Sequence, residues 1–368
     1  MYKNPFTPVF GSEPPLLAGR ERLIGDVLQG LDDAPGNPNR ITIFTGPRGS
    51  GKTVLLSRIV AEAEAKGWIS AQVAVSPNML TDLMDQVEKR AGAFLTPKPT
   101  SRLTELTAAG FSVGREILPE AQKGWRLQME RHLDELAGQD VKLLFSIDEV
   151  KATIQELVYF ISTFQFFIRE KRDVALIMAG LPGNILQMFQ SDSISFLRRA
   201  FLRKLDPIEL PEVRAVLRQT IEMAGRRIEN SALKKAAEQT KGLPFLIQLI
   251  GYHIFNQSNN KTITMSDVDQ GILDAKEDME SMVLEATLFD LSDVDQQFLK
   301  AMAQDETESK IADIAKRMGV SSQYAGTYRR RLIAQGIIAP AGRGKLVFAL
   351  PMLRELLLER LNDREQYI

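Results

Sequence analysis

The period of the apolar positions changes several times along the chain, and the changes divide it. Leu23, Ile24, Val27, Leu28 and Leu31 recur at helical spacing over residues 19–31. Residues 32–39 carry Pro35, Gly36 and Pro38 and predict a loop. Residues 40–45 form a short β-type run, residues 53–66 have helical composition, and Ala71, Val73 and Val75 alternate as in a strand over 70–76. Residues 141–147 and 174–178 are unbroken apolar runs, as expected of parallel strands buried on both faces. A helix is predicted over 127–136, and Phe160, Phe164 and Phe167 form an apolar helical stripe. Residues 96–122, with Pro97, Pro99, Gly110, Gly114 and Pro119, predict an irregular insertion. Short strands alternating with helices predict an α/β fold, a parallel sheet with helices on both faces.

After about Leu205 the strand runs stop. Consecutive helices are predicted over 211–224, 231–240, 244–255 and 266–288. The pattern changes again at Ser292. Helices over 292–303 and 309–318 precede Gly319-Val320-Ser321-Ser322, which reads as the tight turn of a helix-turn-helix with a serine capping the next helix. That helix ends at Gly336, and residues 337–339 and 346–349 flank Gly342-Arg343-Gly344-Lys345 as in a β-hairpin. The predicted layout is an extended proline- and glycine-rich arm over 1–18, an α/β core over 19–205, an all-α lid over 206–291 and a C-terminal winged-helix domain over 292–368.

Composition narrows the chemistry. The 368 residues are 44% hydrophobic, enough for two or three domains, and the formal charge is −1, so attraction to nucleic acid would have to come from a local patch. There is no cysteine, which excludes disulfides, thiolate metal sites and cysteine nucleophiles. The two histidines, His132 and His253, are too few for a multi-histidine metal centre. The first residues lack the apolar run of a signal peptide, and no apolar run reaches the ~20 residues of a membrane helix, so a cytoplasmic protein with no membrane contact is expected.

Gly46-Pro47-Arg48-Gly49-Ser50-Gly51-Lys52-Thr53 fits the phosphate-binding loop G-x-x-x-x-G-K-[ST], between a predicted strand and a predicted helix. Glycines let backbone N–H groups turn inward onto phosphate oxygens, and the loop opens a helix whose N-terminal dipole favours negative charge. Lys52 is expected to reach the β- and γ-phosphates of ATP, and Thr53 to ligate Mg2+. The apolar strand Leu143–Ile147 ends in Asp148 and Glu149. Asp148 is the second expected magnesium residue, and Glu149 the group that polarises the attacking water. The bland alternatives are a glycine-rich turn and a solvated loop start.

With these motifs the chain resembles the AAA+ ATPases, in particular the branch of origin-recognition-type initiators and the bacterial and archaeal ATPases of similar layout. Leu17-Ala18-Gly19-Arg20-Glu21 looks like the box that opens this branch near the adenine, which implies Gly19 and Arg20 as nucleotide-contacting residues. Ser195-Phe196-Leu197-Arg198-Arg199-Ala200 resembles the arginine-finger segment, and Lys241-Gly242-Leu243-Pro244-Phe245 the G-x-P turn of the lid. The resemblance implies an AAA+-like P-loop NTPase fold and, if Arg198 or Arg199 reaches a neighbour's γ-phosphate, a homo-oligomer in the ATP state. Arg198, Arg199 and Arg203 also suit the wet face of an amphipathic helix. Two departures stand out. The strand after the acidic pair ends Met178-Ala179-Gly180, with Asn184 the nearest amide, and the lid's usual arginine is Phe245. Fewer charges around the transition state imply slow hydrolysis.

Between Lys310 and Lys345 there are eight basic residues against the single acid Asp313. A basic second helix and hairpin tip suit phosphate contacts on double-stranded DNA, with Gln323, Arg329, Arg330, Arg343 and Lys345 as candidates. The segment 292–368 as a whole is nearly balanced, and a module that docks protein, in a nucleotide-gated regulatory switch, is the alternative. Tyr324 and Tyr328, at i and i+4, are expected in the core rather than as a stacking platform. A small-molecule kinase is disfavoured by the acidic strand end followed by a lid and winged helix.

Overall fold

The structure, a computed structural model, describes residues 2–9, 11, 14–17, 19–95, 120–151 and 153–365. Of the predicted irregular stretch, 96–119 lies outside the described residues, and from Glu120 the chain is helical. The core runs α1 (Glu21–Asp32), β1 (Ile41–Thr45), α2 (Lys52–Ala65), β2 (Ile69–Ala74), α3 (Met79–Ala91), α4 (Glu120–Ala137), β3 (Leu143–Asp148), α5 (Gln155–Arg169), β4 (Val174–Gly180), α6 (Pro182–Phe189), a 3-10 segment Asp192–Arg199 and β5 (Phe201–Lys204). The lid comprises α7 (Leu210–Met223), β6 (Arg227–Ile228), α8 (Asn230–Gln239), α9 (Pro244–Asn256), β7 (Thr262–Ile263) and α10 (Met265–Met279), which continues through a π-turn into α11 (Glu285–Phe289). The C-terminal module comprises α12 (Asp293–Ala303), β8 (Ser309–Lys310), α13 (Ile311–Met318), α14 (Ser322–Ala334), β9 (Ile338–Pro340), β10 (Lys345–Phe348) and α15 (Leu353–Glu365).

The five core strands are parallel in the order β2-β3-β4-β1-β5. Every residue of β4 is buried, as its unbroken apolar sequence requires. From β1 the chain crosses to the far edge at β2 and works back through β3 and β4, then places β5 on the other side of β1. The order therefore reverses at β1, and the crevice beyond its carboxyl end is where such sheets bind ligands. Register sets what meets there: Thr45 pairs with Gly180, Ile147 with Met178, and Ala74 with Asp148. One face of the sheet packs α3, α4 and α5 through Phe145, Phe160 and Phe164, and the other packs α1 and α2 through Phe44, Leu55 and Ile59.

Several elements differ from or add to the sequence reading. Strand β5 is an addition, so Arg203 stands on an edge strand opposite Phe44 rather than on a helix. The lid is not purely helical, because β6 and β7 form a two-residue parallel pair. The residues over 2–9, expected as an extended arm, form no helix or strand and are anchored on α9. Phe6 is buried against Gly251, where a Cβ would lie 2.4 Å from its ring, and the Asn4 amide donates to the Tyr252 carbonyl at 2.9 Å. Predicted turn chemistry is present in the C-terminal module. Gly319 has φ +69° as the cap of α13, Ser321 accepts from the Tyr324 N–H, and β9 and β10 form the hairpin, with β8 as a third antiparallel strand. Among the described residues no helix is long and apolar enough to cross a membrane.

Arg40 is the most demanding buried residue of the core. Its guanidinium donates to the Gly30 and Leu31 carbonyls at 3.1 and 3.2 Å, pairs with Asp173 at 2.9 Å and also reaches the Asp33 carbonyl. It thus satisfies carbonyls at the C-terminal end of α1 that have no helical partner. Arg40→Met should cost about 3 kcal/mol in chemical denaturation, against less than about 0.5 kcal/mol for Arg58→Met at the exposed pair with Glu62. Equal losses would contradict the assignment.

Candidate nucleotide site

The phosphate loop leaves β1 and enters α2 through backbone that favours glycine. Gly49 and Gly51 have φ +75° and +82°, and Gly51 caps α2. Neither has room to spare. A Cβ on Gly49 would lie 3.3 Å from Phe245 Cβ, and one on Gly51 3.4 Å from Pro244 Cγ. The start of α9 therefore rests on the loop, with the Phe245 N–H donating to the Gly49 carbonyl at 3.3 Å. Phe245, in place of the arginine of the resemblance, contributes backbone and ring but no charge.

Lys52, the first residue of α2, donates to the Gly46 and Pro47 carbonyls at 3.0 and 2.8 Å. The Thr53 hydroxyl donates to Asp148 Oδ2 at 2.5 Å, and the Glu149 N–H donates to Asp148 Oδ1 at 2.7 Å. Glu149 is held at φ +52°, a left-handed conformation that is strained for a residue with a side chain, and its carboxylate lies 3.9 Å from Lys151 Nζ. Thus Lys52, Thr53, Asp148 and Glu149, far apart in sequence, stand together. They line a cavity of about 370 Å³ with Arg48, Gly49, Ser50 and Gly51. Gly46 and Pro47 lie beneath it as acceptors for Lys52.

The chemistry of the donors suits magnesium carried in with a triphosphate. One carboxylate and one hydroxyl touch each other, and among the described residues no cluster of three or more His, Cys, Asp or Glu could hold a metal alone. Mg2+ is commonly held by one or two protein oxygens, with phosphate and water completing the shell.

Part of the remaining cavity comes from segments in which the sequence showed no chemistry, while Leu17, Arg20, Pro244 and Phe245, which also line it, belong to the two boxes of the resemblance. Thr7, Pro8, Leu16 and Leu17 form one wall, and Val216, Ile247 and Gln248 of the lid another. The Thr7 N–H donates to Gln248 Oε1 at 3.1 Å, so the segment and the lid are tied beside the cavity. A phenylalanine between two prolines, Phe6, was the available signal that this segment docks. Gly19 has φ +61° and abuts Glu212, while buried Arg20 donates to the Asp206 carbonyl at 2.8 Å at the junction of core and lid. Burial holds the Arg20 guanidinium below its ordinary pKa. Asn184 and Gly180 also line the cavity.

The remaining candidates lie away from that cavity. Arg198 and Arg199 are both exposed on the 3-10 segment and do not line it. Arg198 is engaged, its Nε donating to the Phe189 carbonyl at 2.9 Å. Arg203 reaches Asp26 and Asn39 at 3.2 Å. In the C-terminal module Gln323, Arg330 and Arg343 are exposed, whereas Arg329 is half-buried with its Nε enclosed and without a partner. Lys345 pairs with Glu308 at 2.7 Å, Arg317 with Asp305 at 2.5 Å, and Arg331 with Asp295. Acids outside the 310–345 window thus offset much of its charge. Tyr324 is 46% exposed, contrary to the core position expected, because its i+4 partner is the Tyr328 hydroxyl, at 2.9 Å, rather than an apolar neighbour.

Residues 37–189 match the AAA domain family, and residues 281–357 match a domain of unknown function (DUF8462). A Walker-type ATPase of Pyrococcus abyssi has the same fold with a TM-score of 0.65 at 14% identity, over 93% of this chain and 96% of that one. The ORC2 protein of Aeropyrum pernix, solved in ADPNP–ADP complexes, matches with a TM-score of 0.62 at 14% identity, over 98% and 97%. Cdc6p from Pyrobaculum aerophilum matches with 0.51 at 15% identity, over 97% of each chain. No curated protein matches the sequence.

Burial lowers the Lys52 ammonium to about 8, against Asp148, which favours its charge. An incoming phosphate restores the charged form, so binding takes up a proton above pH about 8. ATP affinity should be flat below pH about 8 and fall above it by up to about tenfold per unit, as titration calorimetry from pH 6.5 to 9.5 would show. The unliganded fold should gain stability over the same rise, because the unfolded chain keeps the proton that folded Lys52 releases. Affinity constant to pH 9.5 would refute the role given to Lys52.

Proposed function

Given an AAA domain over residues 37–189 in a chain of AAA+ fold, we propose that this protein is a cytoplasmic, magnesium-dependent ATP-binding and slowly ATP-hydrolysing ATPase that acts as an oligomer on DNA. The observation that carries the reading is the bond from Thr53 to Asp148, which puts the phosphate loop and the acidic strand end in one cavity under the lid. Loop N–H groups and Lys52 hold the β- and γ-phosphates. Thr53 and Asp148 hold the magnesium, which when bound supplies charge neutralisation on the phosphates. Glu149, at the mouth beside Lys151, orients and polarises the water that attacks the γ-phosphate, and its proton is taken by that carboxylate.

Slow turnover follows from what is absent at the γ-phosphate end. Strand β4 ends in buried Ala179 and Gly180, and Phe245 offers no charge. A second copy supplies the missing cation. Arg199 is the better candidate, because the Arg198 side chain is tethered through its Nε to the Phe189 carbonyl. The DNA reading rests on a winged-helix module presenting Gln323, Arg330 and Arg343 on its exposed side, with Lys345 and Arg329 as lesser contributors. Charge pairing within the module favours, as a second reading, a switch whose winged helix docks protein.

Glu149→Gln should lower ATP turnover by about 10²–10⁴-fold while ATP still binds. Arg199→Ala should lower it by about 10³-fold and Arg198→Ala much less, with the loss in Arg199→Ala regained on mixing with Glu149→Gln protein, whose own arginine is intact. Turnover unchanged in both arginine variants would sink the oligomeric site. Double-stranded DNA binding should weaken steeply between 50 and 200 mM salt, and Arg330→Ala/Arg343→Ala should flatten the slope by about two ions. No binding at low salt would leave the protein-docking reading.

A further inference from the structure

The wall of the cavity at its γ-phosphate end is not made by the core alone. Strand β4 ends at Gly180, and Leu181 caps α6, whose first turn carries Pro182, Gly183 and Asn184. Gly180, Leu181 and Asn184 line the cavity together with Asp148 and Glu149. The same turn is gripped from outside by α14 of the C-terminal module. A Cβ on Gly183 would lie 3.0 Å from both Ile333 Cγ2 and the Ile333 carbonyl oxygen. A Cβ on Gly336, which has φ +70°, would lie 2.8 Å from Leu181 Cδ1. Each element thus presents a glycine to an apolar side chain of the other.

Helix α14 has two distinct ends. Its N-terminal part leaves Ser322, Gln323, Tyr324, Thr327 and Arg330 exposed, while its C-terminal part, from Ile333 to Gly336, is packed on α6. The Gly336 N–H bonds the Ile333 carbonyl at 3.0 Å, and the Ile337 N–H bonds that of Leu332 at 3.0 Å, so this end is rigid. On the core side, the Val150 N–H bonds the Ala179 carbonyl at 2.9 Å, which couples the acidic pair to the end of β4. Ile333 is therefore one contact from the turn carrying Asn184, and that turn directly follows Ala179, whose carbonyl is bonded by the residue after Glu149.

We propose that Ile333, with Gly336, is a positioning residue for ATP turnover: the C-terminal end of α14 holds the Gly180–Asn184 turn so that the Asn184 amide faces the γ-phosphate. The proposal rests on the ATP-site reading above. It also means that one helix has an exposed end and an end packed on the turn that lines the ATP cavity.

The test is a double-mutant cycle on full-length protein, with ATP turnover and affinity for a non-hydrolysable ATP analogue measured separately. Ile333→Ala should lower kcat about tenfold with analogue affinity and KM within about threefold, and Ile333→Val should retain most of kcat. Asn184→Ala should cost a similar factor, and Asn184→Ala/Ile333→Ala no more than Asn184→Ala alone, because Ile333 acts through Asn184. Unchanged kcat in Ile333→Ala, or multiplicative losses in the double variant, would each overturn the positioning role. Failure of the wild type to bind the analogue would instead remove the ATP site itself, and would be seen before any variant is made.

Discussion

The hydrogen bond from Thr53 to Asp148 sets the constraint that the rest of the structure meets. A hydroxyl on the first turn of α2 and a carboxylate at the end of β3 must come within 2.5 Å, although β4 separates β1 from β3 in the sheet. Only strands in a common register, ending at a common level, allow that. The pairing of Thr45 with Gly180 and of Ile147 with Met178 supplies it, with β4 buried along its whole length between β1 and β3. The phosphate loop then lies where the strand order reverses, with α2 pointing its N-terminus into the cavity.

Around that centre the lid closes from above without contributing charge. Pro244 and Phe245 sit on Gly51 and Gly49, so the glycines that let the loop turn inward also let the lid approach. The junction between core and lid is held by Arg20 on the Asp206 carbonyl and by Gly242, where a Cβ would lie 2.3 Å from the Ile208 carbonyl oxygen. The segment carrying Phe6 is fastened to α9 and lines the cavity through Thr7 and Pro8. Three parts of the chain thus meet at one site, and the C-terminal module reaches the same site from outside through α14.

The motifs with strict spacing were legible in the sequence because their chemistry is local. A phosphate loop needs its glycines and lysine within eight residues, and an apolar strand ending in two acids is visible as such. Gly319 and Ser321 likewise announced their turn. Other features were not legible. Strand β5 is four residues long with both Phe201 and Leu202 partly exposed, so neither alternation nor an apolar run marks it. Helix α3, with Met79, Leu80, Leu83, Met84 and Val87 at helical spacing, adds an element to those predicted. The basic window at 310–345 looked strongly positive because the acids that pair with it, Asp295, Asp305 and Glu308, precede it in sequence.

By itself the sequence determined the α/β core, the phosphate loop, the acidic pair and the helix-turn-helix with its hairpin, since each is written in a local pattern of residue types. Tertiary structure alone decided that Thr53 touches Asp148, that Phe6 and Thr7 belong to the lid side of the cavity, that Arg198 is engaged while Arg199 is exposed, and that Ile333 stands against Gly183. The Arg198 bond spans nine residues, but the other facts are set by which surfaces pack together over separations of 95 to 241 residues, and no local period records that.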